Sequence, residues 1–166
     1  MARTHGRIKV EVWDAGSDFR HLGLDAQWTY AMLVSQRMVS LCGVLPYTPK
    51  KWAKLAPDIT GERLEDALSE LEAEWYIIVD RETDELLVRT MVKHDRAWTN
   101  PKLVTAARKR FVEIESDAIK DYLGKRHAWL TNGVMEPEEV REYEENRELA
   151  GPSERTMELG IERAID

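Results

Sequence analysis

A mainly helical α+β fold is predicted by three features of the sequence. The run TGERLEDALSELEAE, residues 60–74, repeats its leucines at steps of four and three, the spacing of one helix face. The run WYIIVDRETDELLVRT, residues 75–90, follows at once as two apolar strands around a charged loop. Upstream, Thr48 and Pro49 form a helix start. Two helices, a tight turn and a hairpin make a winged helix-turn-helix, to which the sequence adds further C-terminal helices.

A strand, a helix and a second strand are predicted before the helix pair. IKVEVW, from Ile8 to Trp13, alternates apolar and polar residues and predicts a short strand. Asp25 is the predicted N-cap of a helix that runs to about Arg37, because its carboxylate can accept the free amides of the first turn. LCGVLPY, residues 41–47, contains a glycine and a proline and fits a small edge strand. The helix between them presents to the core Ala26, Tyr30, Leu33 and Val34, with Trp28 on its flank.

The helix pair and the hairpin are predicted to share one core. The first helix, PKKWAKLA, ends before Pro57, Thr60 caps the second, and Ile59 fills the angle between the two. Between Asp80 and Glu85 the hairpin has no glycine, which predicts a four- or five-residue loop on a type I turn. The residues expected to be buried together are Leu64, Leu68, Leu71, Trp75, Ile77 and Val88.

Further helices are predicted after the hairpin. Thr99, Asn100 and Pro101 start one of them, and Gly124 is its predicted C-cap. One long helix or two nearly collinear helices would bury the apolar stripe of Leu103, Ala107, Phe111, Ile114, Ala118 and Tyr122. The predicted domains are a winged helix-turn-helix with a helical extension over residues 1–130 and an acidic, partly helical or disordered tail over 131–166. In that tail we expect an exposed helix near 137–149 and a short amphipathic piece from Ser153.

Composition narrows the function classes. No apolar run approaches the ~20 residues of a membrane span, and the N-terminus lacks the apolar core of a signal peptide. The single cysteine, Cys42, excludes an internal disulfide, predicts a packed thiol and fits the cytoplasm. The four histidines have no partner at metal-ligand spacing, and there is no glycine-rich phosphate loop. We therefore expect neither an enzyme nor a metal or cofactor site.

Charge is distributed in blocks. Residues 1–60 carry a net charge of +3, residues 61–92 carry −7, residues 93–110 carry +5 and residues 133–166 carry −7. The lysines of the first helix of the pair suit backbone phosphates, and the basic stretch after the hairpin suits a phosphate-tracking patch. The predicted DNA-binding residues are Lys50, Lys51, Lys54, Arg63, Lys93, Arg96, Lys102, Arg108, Lys109 and Arg110. A solvated surface of mixed charge is the alternative for the same residues.

Base reading by the second helix is disfavoured by its charges. Arg63 suits a guanine edge, but Glu62, Glu65 and Asp66 would lie close to phosphates. The hairpin loop likewise has Arg81 among four carboxylates. Trp98, within the basic stretch, is either a packed aromatic or a platform for a base of single-stranded DNA.

Several blocks resemble a known family. DAQWTYAMLVSQ, CGVLPYTPKKWAKLAPDIT, ALSELEAEWYIIVDRETDELLVRTMVKHD and NPKLVTAA together resemble a helix-turn-helix DNA-binding family of actinobacteriophages, whose relatives are similar to the winged-helix N-terminal domains of phage replication initiators. The resemblance covers roughly residues 7–125. It implies a phage-encoded protein of the bacterial host cytoplasm with a role in phage DNA replication or transcriptional control.

Two other interpretations of the charge pattern remain open. An acidic helix, hairpin and tail would suit a basic partner, such as a host or phage replication protein, in a winged-helix module that does not bind DNA. A homodimer could instead place the acidic face of one chain against the basic patch of another. Measuring DNA affinity against salt concentration distinguishes a DNA-binding protein from a module that binds a protein partner. A steep loss of affinity with rising salt indicates phosphate contacts, whereas no binding at low salt favours the protein-binding module.

Overall fold

The computed structural model describes residues 4–132 and residue 141. The elements of this part are α1 (Leu24–Val34), β1 (Val44–Pro46), α2 (Pro49–Trp52), α3 (Gly61–Ala73), β2 (Ile77–Asp80), β3 (Glu85–Val88), α4 (Met91–Asp95), α5 (Pro101–Val112), α6 (Asp117–Arg126) and α7 (Trp129–Asn132). The α+β class is confirmed. The predicted order of helix, strand, two helices, hairpin and further helices is also found. The predicted helix near 137–149, apart from residue 141, and the amphipathic piece from Ser153 lie outside the described residues.

The three strands form one antiparallel sheet in the order β1-β3-β2. In the hairpin, Ile77 pairs with Val88 and Asp80 with Glu85, which leaves a four-residue loop as predicted. The Asp80 carboxylate shapes this loop by accepting from the amides of Glu82 and Thr83. The strand β1 lies at an edge of the sheet, as predicted, and pairs with β3 alone.

The outer side of β1 is closed by its own chain. The Gly43 carbonyl accepts from the Val88 amide of β3, and the Tyr47 amide donates to the carbonyl of Asp84, the residue before β3. Val44 therefore directs its backbone groups away from the sheet. Ser40 satisfies both of them: its amide donates to the Val44 carbonyl at 2.8 Å, and its hydroxyl accepts from the Val44 amide at 3.2 Å. Pro46, the last residue of β1, has no N–H to offer.

The two faces of the sheet bury two separate clusters. Leu86 and Val88 of β3 face the cluster that includes α1 and α3, whereas Leu87 between them faces the cluster of α5, α6 and α7. This alternation follows from the two-residue period of a strand. The sheet is therefore a thin layer between two groups of helices.

The helix face predicted for residues 60–74 is confirmed. Thr60 caps α3 by accepting from the Arg63 amide at 3.2 Å. The buried residues of α3 are Leu64, Ala67, Leu68 and Leu71, and Ile59 is buried in the same cluster. Ile77 and Val88 join them, as expected.

The prediction for Trp75 is wrong. The indole is 64% exposed, because α3 ends at Ala73 and Trp75 takes a left-handed backbone conformation with φ of +58°. The guanidinium of Arg89 lies 5.2 Å from the Trp75 ring centroid and 5.1 Å from that of Tyr122. It also donates to the Trp75 carbonyl. Trp75 thus covers an arginine and not the core.

Three predictions near the N-terminus are also wrong. Val10–Trp13 is a 3-10 helix rather than part of a strand, and both of its end residues are exposed. The helix α1 begins after Gly23, whose amide donates to the Glu70 carboxylate at 2.7 Å, so Asp25 lies in the first turn and is not the cap. The helix ends at Val34 and not near Arg37.

The C-terminal helices differ from the predicted stripe. Residues 113–116 separate α5 from α6, and a distant carboxylate fixes the break: Glu85 accepts from the Ser116 amide at 2.7 Å. The Ser116 hydroxyl then caps α6. The interruption changes the phase of the buried positions. Ile119 and Leu123 are buried while Ala118 is exposed, and the predicted cap Gly124 lies inside α6.

Candidate nucleic-acid interface

The outward face of α3 is acidic. Glu62, Asp66 and Ser69, at steps of four and three, are all exposed opposite the buried leucines. Glu65 flanks them and accepts from the Tyr47 hydroxyl at 3.2 Å. A phosphate approaching this face would meet carboxylates first, as the sequence predicts.

Arg63 is held to the side of α3 that faces α1. Its Nε and Nη2 donate to the two carboxylate oxygens of Asp25 at 2.8 and 2.6 Å, and its Nη1 donates to the Asp58 carbonyl at 2.6 Å. Hydrogen bonding from Arg63 holds the pKa of the Asp25 carboxyl below its ordinary value. Each of the three guanidinium nitrogens, which would supply the bidentate contact to a guanine, already makes a hydrogen bond within the chain.

The hairpin arginine is paired in the same manner. Arg81 donates to the Glu72 carboxylate at 2.9 Å, and its guanidinium lies 5.6 Å from the Tyr47 ring centroid. The hydrogen bond to Glu72 raises the pKa of Arg81 further above its ordinary value. Arg63 of α3 and Arg81 of the hairpin loop are thus each paired with a carboxylate of the same chain.

The lysines before the turn lie on exposed positions. Lys50 and Lys51 are in α2, and Lys54 follows it. The buried Trp52 holds α2 by packing edge-on against Tyr47 at 5.8 Å between ring centroids. One face of this short helix is therefore fixed to the core while its lysines reach solvent.

The exposed side of α5 carries two lysines in register. Lys102 and Lys109 are exposed and seven residues apart, close to two helical turns, so they share one face about 10 Å apart along the axis. The Asn100 side chain fixes the start of the helix by accepting from the Lys102 amide at 3.0 Å. The buried Ala107 anchors the opposite side. We call Lys102 and Lys109 the lysine face of α5.

The other basic residues of this stretch have mixed roles. Arg110 pairs with Glu113 at 2.6 Å, and Arg108 donates to the Thr131 carbonyl at 3.3 Å. Lys93 is exposed on α4, and Arg96 is exposed in a left-handed conformation with φ of +50°. Of the six predicted cations, the structure places two together on one helix face. It uses two others for contacts within the C-terminal helices.

Trp98 is a packed aromatic. It is 5% exposed and stacks on the His127 ring at 6.5 Å between centroids, so it presents no face to a base. Burial lowers the pKa of His127 to about 4, and the charges of Arg126 and Lys93 act in the same direction. The interpretation of Trp98 as a base-stacking platform is therefore wrong.

Cys42 is a packed thiol, as predicted. It is fully buried and donates to the Ala107 carbonyl at 3.2 Å. Burial raises the pKa of the Cys42 thiol to about 12, which leaves it protonated and unreactive. Among residues 4–132 and 141, no three histidine, cysteine, aspartate or glutamate side chains come together in a way that could hold a metal ion.

Two carboxylates with structural roles were missed by the sequence analysis. Glu70 caps α1 through Gly23, and Glu85 caps the entry to α6 through Ser116. Each contact joins residues far apart in the chain, so no local spacing indicates it. Two of the carboxylates of α3 and the hairpin therefore have structural functions.

Comparison with models of protein families, with curated proteins and with solved structures gives no match for this chain. Within the described part of the chain, no helix is both long and apolar enough to cross a membrane.

Proposed function

We propose that this chain is a winged-helix DNA-binding protein of a phage, active in replication initiation or transcriptional control. It holds DNA through phosphate contacts of the lysine face of α5 and the lysines of α2, and α3 does not insert its acidic face into the major groove. One observation carries the proposal: Lys102 and Lys109 share an exposed face, whereas carboxylates line the outward face of α3.

Charge neutralisation supports this mode of binding. Each phosphate that a lysine neutralises releases a condensed counterion, and this term dominates binding that is independent of sequence. Two lysines about 10 Å apart on one helix face are close enough to contact two nearby phosphates of the same DNA strand. The α2 lysines occupy the helix that commonly crosses the backbone in helix-turn-helix docking. Such binding has little sequence preference.

The test measures DNA affinity against salt concentration for double- and single-stranded DNA of unrelated sequences. The double variant Lys102→Glu with Lys109→Glu should weaken binding on every sequence and reduce the salt slope by about 2, since two phosphate contacts are lost. Arg110 is left unchanged because it pairs with Glu113. The matched control, Lys9→Glu with Arg37→Glu, makes the same change in net charge at exposed positions.

Equal loss in the two double variants would show that only net charge matters and would contradict a lysine face. An absence of DNA binding even at low salt would favour the second candidate, a winged-helix module that binds a basic host or phage protein. The acidic outward face of α3 and the exposed Trp75 favour that candidate, because a basic partner complements the carboxylates and exposed aromatic residues are enriched in protein interfaces.

A further inference from the structure

The helix that carries the lysine face, α5, lies beside the point at which the chain continues into its C-terminal segment. Arg108, the neighbour of Lys109, donates to the Thr131 carbonyl at 3.3 Å. Gly124 of α6 approaches the same residue so closely that a Cβ at Gly124 would lie 3.2 Å from Thr131 Cγ2. These contacts fix α7 against α5 and α6. The continuously described part of the chain therefore ends at Asn132 beside the C-terminal half of α5, the helix that carries Lys109.

The C-terminal segment 133–166 carries the opposite charge. It has 11 acidic and 4 basic residues, and seven of the acids fall in EPEEVREYEENRE, residues 136–148. A chain spans at most about 3.5 Å per residue, so Glu136, four residues beyond Asn132, can reach roughly 14 Å. The two lysines lie about 10 Å apart along the axis. The acidic run is thus long enough to reach both lysines.

We propose that the C-terminal segment 133–166 binds the lysine face of α5 in its own chain, where it competes with DNA phosphates. Glutamates offer the lysines the same type of ligand as phosphates do, an oxygen anion. Tethering gives the segment an effective concentration on the order of millimolar, which favours it over the acidic α3 face of a second copy. The competition rests on the proposed function, whereas the contact within the chain does not.

The contact is tested without DNA on the full chain. A carbodiimide joins a lysine amine directly to a nearby carboxylate, and the linked peptides are identified by mass spectrometry. We expect links from Lys102 and Lys109 to glutamates of 136–148, in material of monomer size. Both lysines should also react more slowly than the exposed Lys9 with an amine-acetylating reagent. Links confined to dimers that join the lysines to α3, or acetylation as fast as that of Lys9, would overturn the proposal.

A charge-neutralised tail sharpens this test. In this variant, five glutamates of the C-terminal segment are replaced with glutamine: Glu138, Glu139, Glu142, Glu144 and Glu145. It should raise acetylation of Lys102 and Lys109 by about threefold or more, because the tethered anions are removed. The matched control neutralises five exposed acids of α3 and the hairpin loop, with the same change in net charge: Glu62, Glu65, Asp66, Glu82 and Asp84. It should leave the two lysines as slow as they are in the unmodified chain, and an equal rise in both variants would overturn the contact.

DNA affinity then tests the competition. The tail variant should bind DNA roughly tenfold more tightly at low salt. That gain should disappear when it is combined with Lys102→Glu and Lys109→Glu. If the unmodified chain binds DNA and the tail variant binds it no better, competition is excluded. If neither binds DNA while the cross-links form, the proposed function fails and the contact within the chain stands.

Discussion

Arg63 and Asp25 join the start of α3 to the start of α1 through a bidentate ion pair, with both carboxylate oxygens within 2.8 Å of the guanidinium. Glu70, two turns further along α3, holds the same end of α1 through the Gly23 amide. The side of α3 that faces α1 therefore positions α1. Arg63 therefore helps to position α1 against α3.

Replacing Arg63 with alanine should change DNA affinity little on any sequence. The same variant should return the pKa of Asp25 upward toward its ordinary value, because the hydrogen bond from Arg63 is what lowers it. Since the lowered pKa belongs to the folded state, the stabilisation is present above the ordinary pKa of aspartate and is lost as the pH falls through the folded value. Carboxyl-carbon NMR during an acid titration measures the pKa, with Arg20→Ala at an exposed position as control. A loss of about 1–3 kcal/mol of discrimination at one base pair would instead show that Arg63 reads a guanine.

Replacing Leu68 with alanine should lower the free energy of unfolding by about 2–5 kcal/mol, the range for a fully buried leucine. Ser69→Ala, at the exposed neighbouring position of the same helix, is the control and should have little effect. Chemical denaturation of both variants measures the difference. Equal stability of the two variants is incompatible with the packing of α3 on the sheet and α1.

Gly43 should not tolerate alanine. Its φ of +79° is a left-handed conformation, and a Cβ there would lie 2.7 Å from Met91 Cβ and 2.8 Å from the Val88 carbonyl oxygen. Because one of these atoms belongs to the backbone, we expect a loss of about 2 kcal/mol or more. Gly16→Ala is the control, since a Cβ at Gly16 meets nothing within 4 Å. Similar melting temperatures for the two variants would contradict the close approach of Gly43 to Met91 and Val88.

Stability should decrease in mild acid because of His127. Its pKa is about 4 in the folded protein, against an ordinary value of 6.5. At a pH between these two values the imidazole is protonated in the unfolded chain but neutral in the folded protein. The free energy of unfolding should therefore fall as the pH is lowered from about 6.5 to 4, by up to about 3 kcal/mol from this group. His127→Phe, which keeps a ring beside Trp98, should flatten this part of the profile. His21→Phe at an exposed position should leave it unchanged, and an unaltered slope in the His127 variant would be the contrary result.

Sequence reasoning succeeded where the information is local and failed where it is distant. The Thr60 cap and the leucine steps lie within one helix, so spacing alone predicts which face is buried. The same spacing continues to Trp75 after the backbone has left the helix, and spacing cannot detect that change. The pairing of Arg63 with Asp25 joins positions 38 residues apart and depends on how α1 packs on α3. The exposure of Lys102 and Lys109 was predicted because both lie opposite an apolar stripe of one helix.

The contacts of Ser40 limit how this molecule can associate. A strand from another chain extends a sheet by bonding to unused backbone groups at an edge, and both groups of Val44 are already occupied. Sheet extension is consequently closed along β1, both as a mode of recognition and as a route to aggregation. A partner that approaches this side must bind through side chains. In a Ser40→Ala chain the Val44 amide loses its acceptor, so one of the two occupied groups of this edge becomes available to an added strand.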